Sequence, residues 1–214
     1  TLFWGGNAVL AKVAVGEVSP MLVVTMRWLG VLTLMLLFAR KHLIQDMPVL
    51  RHHLVYIGLM GCAGFTAFNA LFYSAAHSTS AIHMGIIHGS IPVLVLLGTY
   101  FLFKTRVTRT QACGVATTVI GVVIVATGGR LTSFDALSVT LGDLLMLLGC
   151  FLYAAYSVGL ARRPKSSALG LLTALASVAF LASLPLLAFE IAAGDFIAPT
   201  ATGWVVVALI TLLP

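Results

Sequence analysis

Long apolar runs alternate with short connectors along this chain, and the connectors hold most of its charge. A helix rising about 1.5 Å per residue needs about 20 apolar residues to cross a hydrocarbon core of roughly 30 Å. On that scale the pattern predicts spans at Thr1–Val15, Met21–Phe38, Leu54–Ala76, Ile82–Phe103, Thr110–Thr127, Leu141–Ala161, Ala168–Ala193 and Trp204–Pro214. The first and last are incomplete, and the chain opens on Thr1 rather than Met, so it reads as a piece of a longer protein. Lipid also tolerates a closed barrel, but that needs alternating strands of about 10 residues, which the pattern lacks. The expected fold is an all-α membrane protein, a multi-pass helical bundle.

Composition strengthens this reading. Of 214 residues, 60% are hydrophobic and 8% charged, with a mean hydropathy of +1.10. Soluble domains carry about 25% charged residues, so a chain this poor in charge cannot dress its surface for water. The net charge of +6 comes from residues in connectors, with no basic face or aromatic platform, and so excludes nucleic acid as a partner. Cys62, Cys113 and Cys150 fall in three different spans without CxxC spacing. They read as small buried apolar residues, and neither a metal site nor a cofactor is expected.

The basic residues also assign sides. Arg40, Lys41 and Arg51 follow the second span, Lys104, Arg106 and Arg109 the fourth, and Arg162, Arg163 and Lys165 the sixth. Arg130 alone occupies the opposite connectors. Short loops rich in Lys and Arg stay in the cytoplasm. The rule predicts a cell-membrane protein with its N-terminal end cytoplasmic and with Glu17, Asp135, Glu190 and Asp195 in loops facing out. Asp46 reads as a further loop acid.

The sixth to eighth spans repeat the layout of the first three. If the repeating unit holds five helices, an odd number, the second copy enters from the opposite side; such inverted repeats set a substrate site near the midplane between copies. Particular stretches add to this: "FWGGNAVLAK" in the first span, "SPMLVVTMRW" with Pro20 and Arg27 in the second, and "NALFYSAA" closing the third. "SIPV" inside the fourth, "TRTQACGVATTVIGV" in the fifth and "GDLLMLLGCFLYAAY" opening the second copy complete the series. In this order the chain resembles the EamA-type permeases of the drug/metabolite transporter superfamily. The resemblance implies inverted five-helix repeats over residues 1–128 and 141–214, the second truncated, with further helices beyond Pro214. It also implies a central cavity lined by the first four helices of each repeat, and substrates among amino acids, related metabolites and drug-like compounds. One departure stands out: a Gly-Glu pair frequent after the fourth helix is replaced by Lys104 and Thr105.

Polar residues within the spans are the candidates for a substrate path. Thr1, Gly5, Ala8 and Lys12 share one face of the first span, a stripe small enough for close helix approach that would turn Lys12 toward protein. Lys12 then either faces a cavity or snorkels to the outer end as an anchor. Asn7 lies elsewhere on that helix and reads as an interhelical hydrogen-bonding group. Arg27 lies seven positions after Pro20, roughly 10 Å into the membrane. It needs a partner: a substrate carboxylate or phosphate, backbone carbonyls, or a polar side chain, since no acid sits mid-span.

Cys62, Thr66, Asn69, Tyr73 and His77 follow one face of the third span, and such a ladder should not meet lipid. In the fourth, Gly85, His88, Pro92 and Thr99 share a face. Pro92 cannot donate to the His88 carbonyl, so a helix break is expected there. His88 reads either as a satisfied interhelical histidine or as the best candidate for proton coupling, and Gly85 with Gly89 forms a GxxxG packing motif. Gly142, Gly149, Tyr153 and Tyr156 share a side of the sixth span, with the tyrosines either meeting substrate or packing.

The functional expectation is a permease, not an enzyme, that exports a small polar metabolite by alternating access. Its partners would be that small-molecule substrate, the lipid bilayer and protons. The alternative is a passive channel or structural membrane subunit. An intramembrane enzyme is least expected, because paired carboxylates and HExxH are missing and His88 and Ser90 point to different helix faces.

Overall fold

The computed structural model describes residues 2–105, 107–126 and 140–212. Thr1, Arg106, Thr127, Arg130, Asp135 and Pro214 lie outside the described residues. Every regular element among those described is helical: α1 (Leu2–Val13), α2 (Pro20–Leu50), α3 (Leu54–Gly61), a π-helical segment (Cys62–Ala67), α4 (Phe68–Ala75), α5 (Ala81–His88), α6 (Ile91–Phe103), α7 (Arg109–Ala126), α8 (Leu141–Gly159), α9 (Ala168–Ala193) and α10 (Ala201–Leu212). The apolar runs Pro20–Ala75, Ala81–Phe103, Leu141–Arg162 and Ala168–Ala193 are each long enough to cross a membrane. The chain is an all-α, multi-pass membrane protein.

The first of those runs makes two passes. As one straight helix it would set residues 28 and 65 about 55 Å apart, yet their rings stack with centroids 4.4 Å apart. The fold-back comes at a 3₁₀ turn over Arg51–His53, where His53 leaves helical geometry at φ −120 and ψ 27. Before it, α2 continues beyond Phe38, where the apolar run stops, to Leu50. Hydropathy marks where lipid ends, and a helix of good formers need not end there. Asp46 is therefore helical rather than in a loop, and its Oδ2 accepts from the Ser167 N–H at 2.9 Å and hydroxyl at 2.5 Å.

The fourth span is interrupted. Gly89 and Ser90 separate α5 from α6, and Pro92 sits in the first turn of α6, where a missing N–H leaves no helical bond unmade. The Ser90 hydroxyl donates to the Ile87 carbonyl at 2.6 Å. Gly85 and Gly89 do not seat a neighbouring helix: a Cβ on Gly85 would meet nothing within 4 Å, and one on Gly89 only carbonyls of its own turn.

Connectors gather at two ends of the bundle. At one end Arg162 lies 5.3 Å from the Phe103 ring, Tyr56 donates to the Gly159 carbonyl at 3.0 Å, and Asp46 holds Ser167. At the other, Thr79 donates to Asp143 at 2.5 Å, and Thr140 with Asp143 forms the capping box that starts α8. Ser19 there exchanges hydrogen bonds with Ile197, and Glu17 accepts from the Thr200 hydroxyl. Glu190 belongs to this second end but not to a loop. It lies in α9, is 9% exposed, and accepts from the Met21 N–H at 3.4 Å where α2 begins.

The packing faces differ from two expected stripes. On α1 the buried stripe is Asn7, Ala8 and Ala11, continued by Ala14 in the turn that follows, while Gly5 is exposed and has nothing within 4 Å of a Cβ. The third-span ladder loses its first member because the π-helical turn spends an extra residue and shifts the phase of what precedes it. Cys62 and Cys113 are exposed on the helical surface; only Cys150 is buried.

Candidate functional site

α1, α2 and α4 meet where their polar residues coincide. The Arg27 Nη1 donates to the Tyr73 hydroxyl at 2.8 Å and to Asn7 Oδ1 at 3.4 Å. Tyr73 in turn donates to Asn7 Oδ1 at 3.1 Å. Three side chains from three helices thus close a triangle around one guanidinium nitrogen. Asn7 and Tyr73 are buried within apolar surroundings, where polar groups cost several kcal/mol unless hydrogen-bonded. The triangle meets that demand for both.

A cavity of ≈ 270 Å³ opens beside the triangle. Asn7, Arg27, Asn69, His88 and Tyr153 supply its polar lining. Trp28, Phe65 and Phe68 supply aromatic walls, with Val31, Gly64, Leu172 and Thr211 completing it. Trp28 and Phe65 lie parallel within 5°. Phe68 contacts Tyr153 at 4.9 Å and meets His88 edge-on at 5.7 Å. His88 also lies edge-on to Phe72 at 5.9 Å, at the end of α5 just before the helix break. The Asn69 amide donates to the Phe65 carbonyl at 2.6 Å, which ties the π-helical segment to α4 and holds Phe65 against the cavity.

Two glycines let the walls close. A Cβ on Gly64 would lie 2.3 Å from the Tyr156 ring, and one on Gly30 2.3 Å from Thr211 Cγ2. Both clashes are with side chains of the later helices α8 and α10, so these positions need the smallest residue for helix approach.

Five of the sequence candidates, Asn7, Arg27, Asn69, His88 and Tyr153, line this one cavity, and Tyr73 buttresses it. Tyr156 does not line it. It packs behind, 5.2 Å from the Phe65 ring and 5.6 Å from Tyr153. Lys12 lies outside the site altogether: its Nζ donates to the Ala76 carbonyl at 2.8 Å and the Thr79 carbonyl at 3.1 Å, at the end of α4. There Lys12 lines a shallow outer depression with His77, whose partial burial and then the Lys12 charge hold the imidazole below its ordinary pKa. Thr66 turns to α9, donating to the Ala179 carbonyl at 3.1 Å. Sequence reasoning passed over Trp28, Phe65 and Phe68, because an aromatic residue in an apolar helix carries no polar signal and the π-helical turn conceals their shared face.

A larger hollow of ≈ 650 Å³ lies between α3, α6 and α8, lined almost entirely by apolar side chains, with Arg162 at its rim. It offers few groups to orient a polar ligand, so size alone does not make it the site. No cluster of potential metal ligands occurs among the described residues.

The model of the EamA-like transporter family matches residues 1–127. An uncharacterized transporter of Bacillus subtilis, YyaM, is 31% identical over 161 residues, covering 74% of this chain and 52% of that protein. A second from the same organism, YetK, is 24% identical over 205 residues, covering 94% of this chain and 61% of its own length. An uncharacterized transporter of Archaeoglobus fulgidus is 27% identical over 159 residues, covering 73% of this chain and 53% of that protein. The chain thus spans little more than half the length of these curated relatives.

Proposed function

This chain belongs to the EamA-like transporter family, and we propose that it carries the substrate site of a permease that exports a small polar metabolite by alternating access. The observation that carries this reading is the cavity around Arg27, where polar groups from α1, α2, α4, α5 and α8 converge inside an apolar bundle. Such groups are expensive in lipid and mark a substrate or ion path when they face a cavity. Amino acids, related metabolites and drug-like compounds are the substrate class.

In this reading residues 1–128 and 141–214 are inverted five-helix repeats, the second incomplete, with the cavity between them. The helices that line it come from both halves, which supports a site at the repeat interface. The Lys- and Arg-rich end of the bundle faces the cytoplasm by the positive-inside rule, which puts the N-terminal end there too, in the cell membrane. His88, at the break between α5 and α6, is where a proton would couple to movement, because an imidazole changes charge near neutral pH.

The test is flux of a panel of labelled metabolites through the full-length protein in proteoliposomes, with and without a pH gradient. Saturable flux with counterflow, reduced in Arg27→Ala and made insensitive to the gradient in His88→Ala, is the expected result. Linear, non-saturating flux would make the protein a pore. Flux unchanged in both variants would take these residues out of the path.

A further inference from the structure

Arg27 carries a charge that no acid among the described residues balances. Among the described residues its hydrogen bonds run from Nη1, to the neutral oxygens of Tyr73 and Asn7. A guanidinium has five N–H donors and does not lose its proton in proteins. The Nε and Nη2 hydrogens, which form one straight edge of the group, meet no acceptor among the described residues, and Arg27 lines the cavity. That edge matches the two oxygens of a carboxylate.

Three features of the surroundings add to this. The triangle with Asn7 and Tyr73 fixes the far nitrogen, so the free edge is held in one orientation before any ligand arrives. The guanidinium carbon lies 6.0 Å from the Trp28 ring centroid, and the Trp28 indole N–H is buried with no acceptor among the described residues. Phe65, Phe68, Val31 and Leu172 give the cavity apolar walls beside the polar Asn69, His88, Tyr153 and Thr211, and no Asp or Glu among the described residues lines it to receive an ammonium group.

From this geometry we infer that the cavity selects a small organic acid, bound through a single carboxylate on the Nε–Nη2 edge of Arg27 with its apolar body against Phe65 and Phe68. One guanidinium balances one negative charge. A phosphate monoester, at about −1.5 to −2 near pH 7, would bring a second charge that Arg27 does not balance and that would fall to His88. The inference rests on the proposed function for its site but not for its readout, which is binding rather than flux.

The test uses the purified full-length protein and equilibrium competition at pH 7 with benzoate and phenylacetate, each compared with its neutral amide, and with phenylphosphonate. The acids are expected to bind at least about tenfold more tightly than their amides, the ratio that one charge-assisted hydrogen bond supplies. Phenylphosphonate should bind more weakly than phenylacetate. Arg27→Gln should bring the acid-to-amide ratio close to one, and Arg27→Lys should keep part of it. The ratio on the unaltered protein needs no variant to fold. An acid-to-amide ratio near one, no binding of either acid, tighter binding of phenylphosphonate, or an acid preference that survives Arg27→Gln would each overturn the proposal. Acid preference without flux would leave it standing and sink the transport reading; flux of uncharged metabolites with no acid preference would do the reverse.

Discussion

Lys12 and Arg27 are both cations within apolar helices, and the contrast between their surroundings is instructive. Lys12 is held by two backbone carbonyls just past the last turn of α4, where a helix leaves its carbonyls unpaired and its dipole favours positive charge. Those acceptors are fixed parts of the main chain, and they tie α1 to the end of α4. Among the described residues, Arg27 is held by side chains of two other helices and through one nitrogen. Its free edge borders a cavity. A cation with two of its three donors on main-chain oxygens at a helix end is an anchor, and one held through a single nitrogen by side chains beside an interior cavity is equipped to hold a ligand.

Four substitutions probe that contrast. Arg27→Ala should lower flux of the full-length protein by about 100-fold, or about 2.7 kcal/mol, with membrane insertion preserved; flux within threefold of the unaltered protein would place Arg27 with Lys12 as an anchor. Gly64→Leu drives a side chain into the Tyr156 ring and should cost about 1–3 kcal/mol of stability by overpacking, read as a lowered melting temperature in detergent and partly reversed by adding Tyr156→Ala. Lys12→Met removes the anchor and should cost about 1–2 kcal/mol of stability, with substrate affinity unchanged; a loss of affinity with normal melting would return Lys12 to the substrate path. Tyr73→Phe deletes one corner of the triangle and should raise the substrate KM by roughly fivefold, about 1 kcal/mol, with a smaller effect on kcat, since Asn7 still accepts from Arg27.

Much of the fold was legible in the sequence because lipid imposes a simple rule. The limits of α9 coincide with the span expected at Ala168–Ala193, and α8 begins at the expected Leu141. The extension of α2 to Leu50 was not legible, since polarity at Arg40–Asp46 says that the chain has left the membrane and nothing about whether the helix has stopped. Within the site, Asn7, Arg27, Asn69 and His88 stood out because a polar group in an apolar run has few bland explanations. Stripes drawn at helical spacing fared worse. Gly5 and Lys12 fell off the buried face of α1, Cys62 fell off the ladder of the third span, and Gly85 faced no helix. Small residues can pack anywhere, and one π-helical turn is enough to shift the phase of a whole face.

The amino-acid sequence by itself determined the solvent this protein lives in, the approximate limits of several of its helices, and the few residues too polar to face lipid. Each of these follows from hydropathy summed over about 20 residues, where no single contact matters. The tertiary structure decided which of those residues meet: that Arg27 finds Tyr73 and Asn7, that Lys12 instead caps α4, and that Trp28, Phe65 and Phe68 wall the same chamber. Such pairings depend on the rotation of each helix about its axis. That rotation is fixed by contacts between helices far apart in the chain, such as Gly64 against Tyr156 and Gly30 against Thr211.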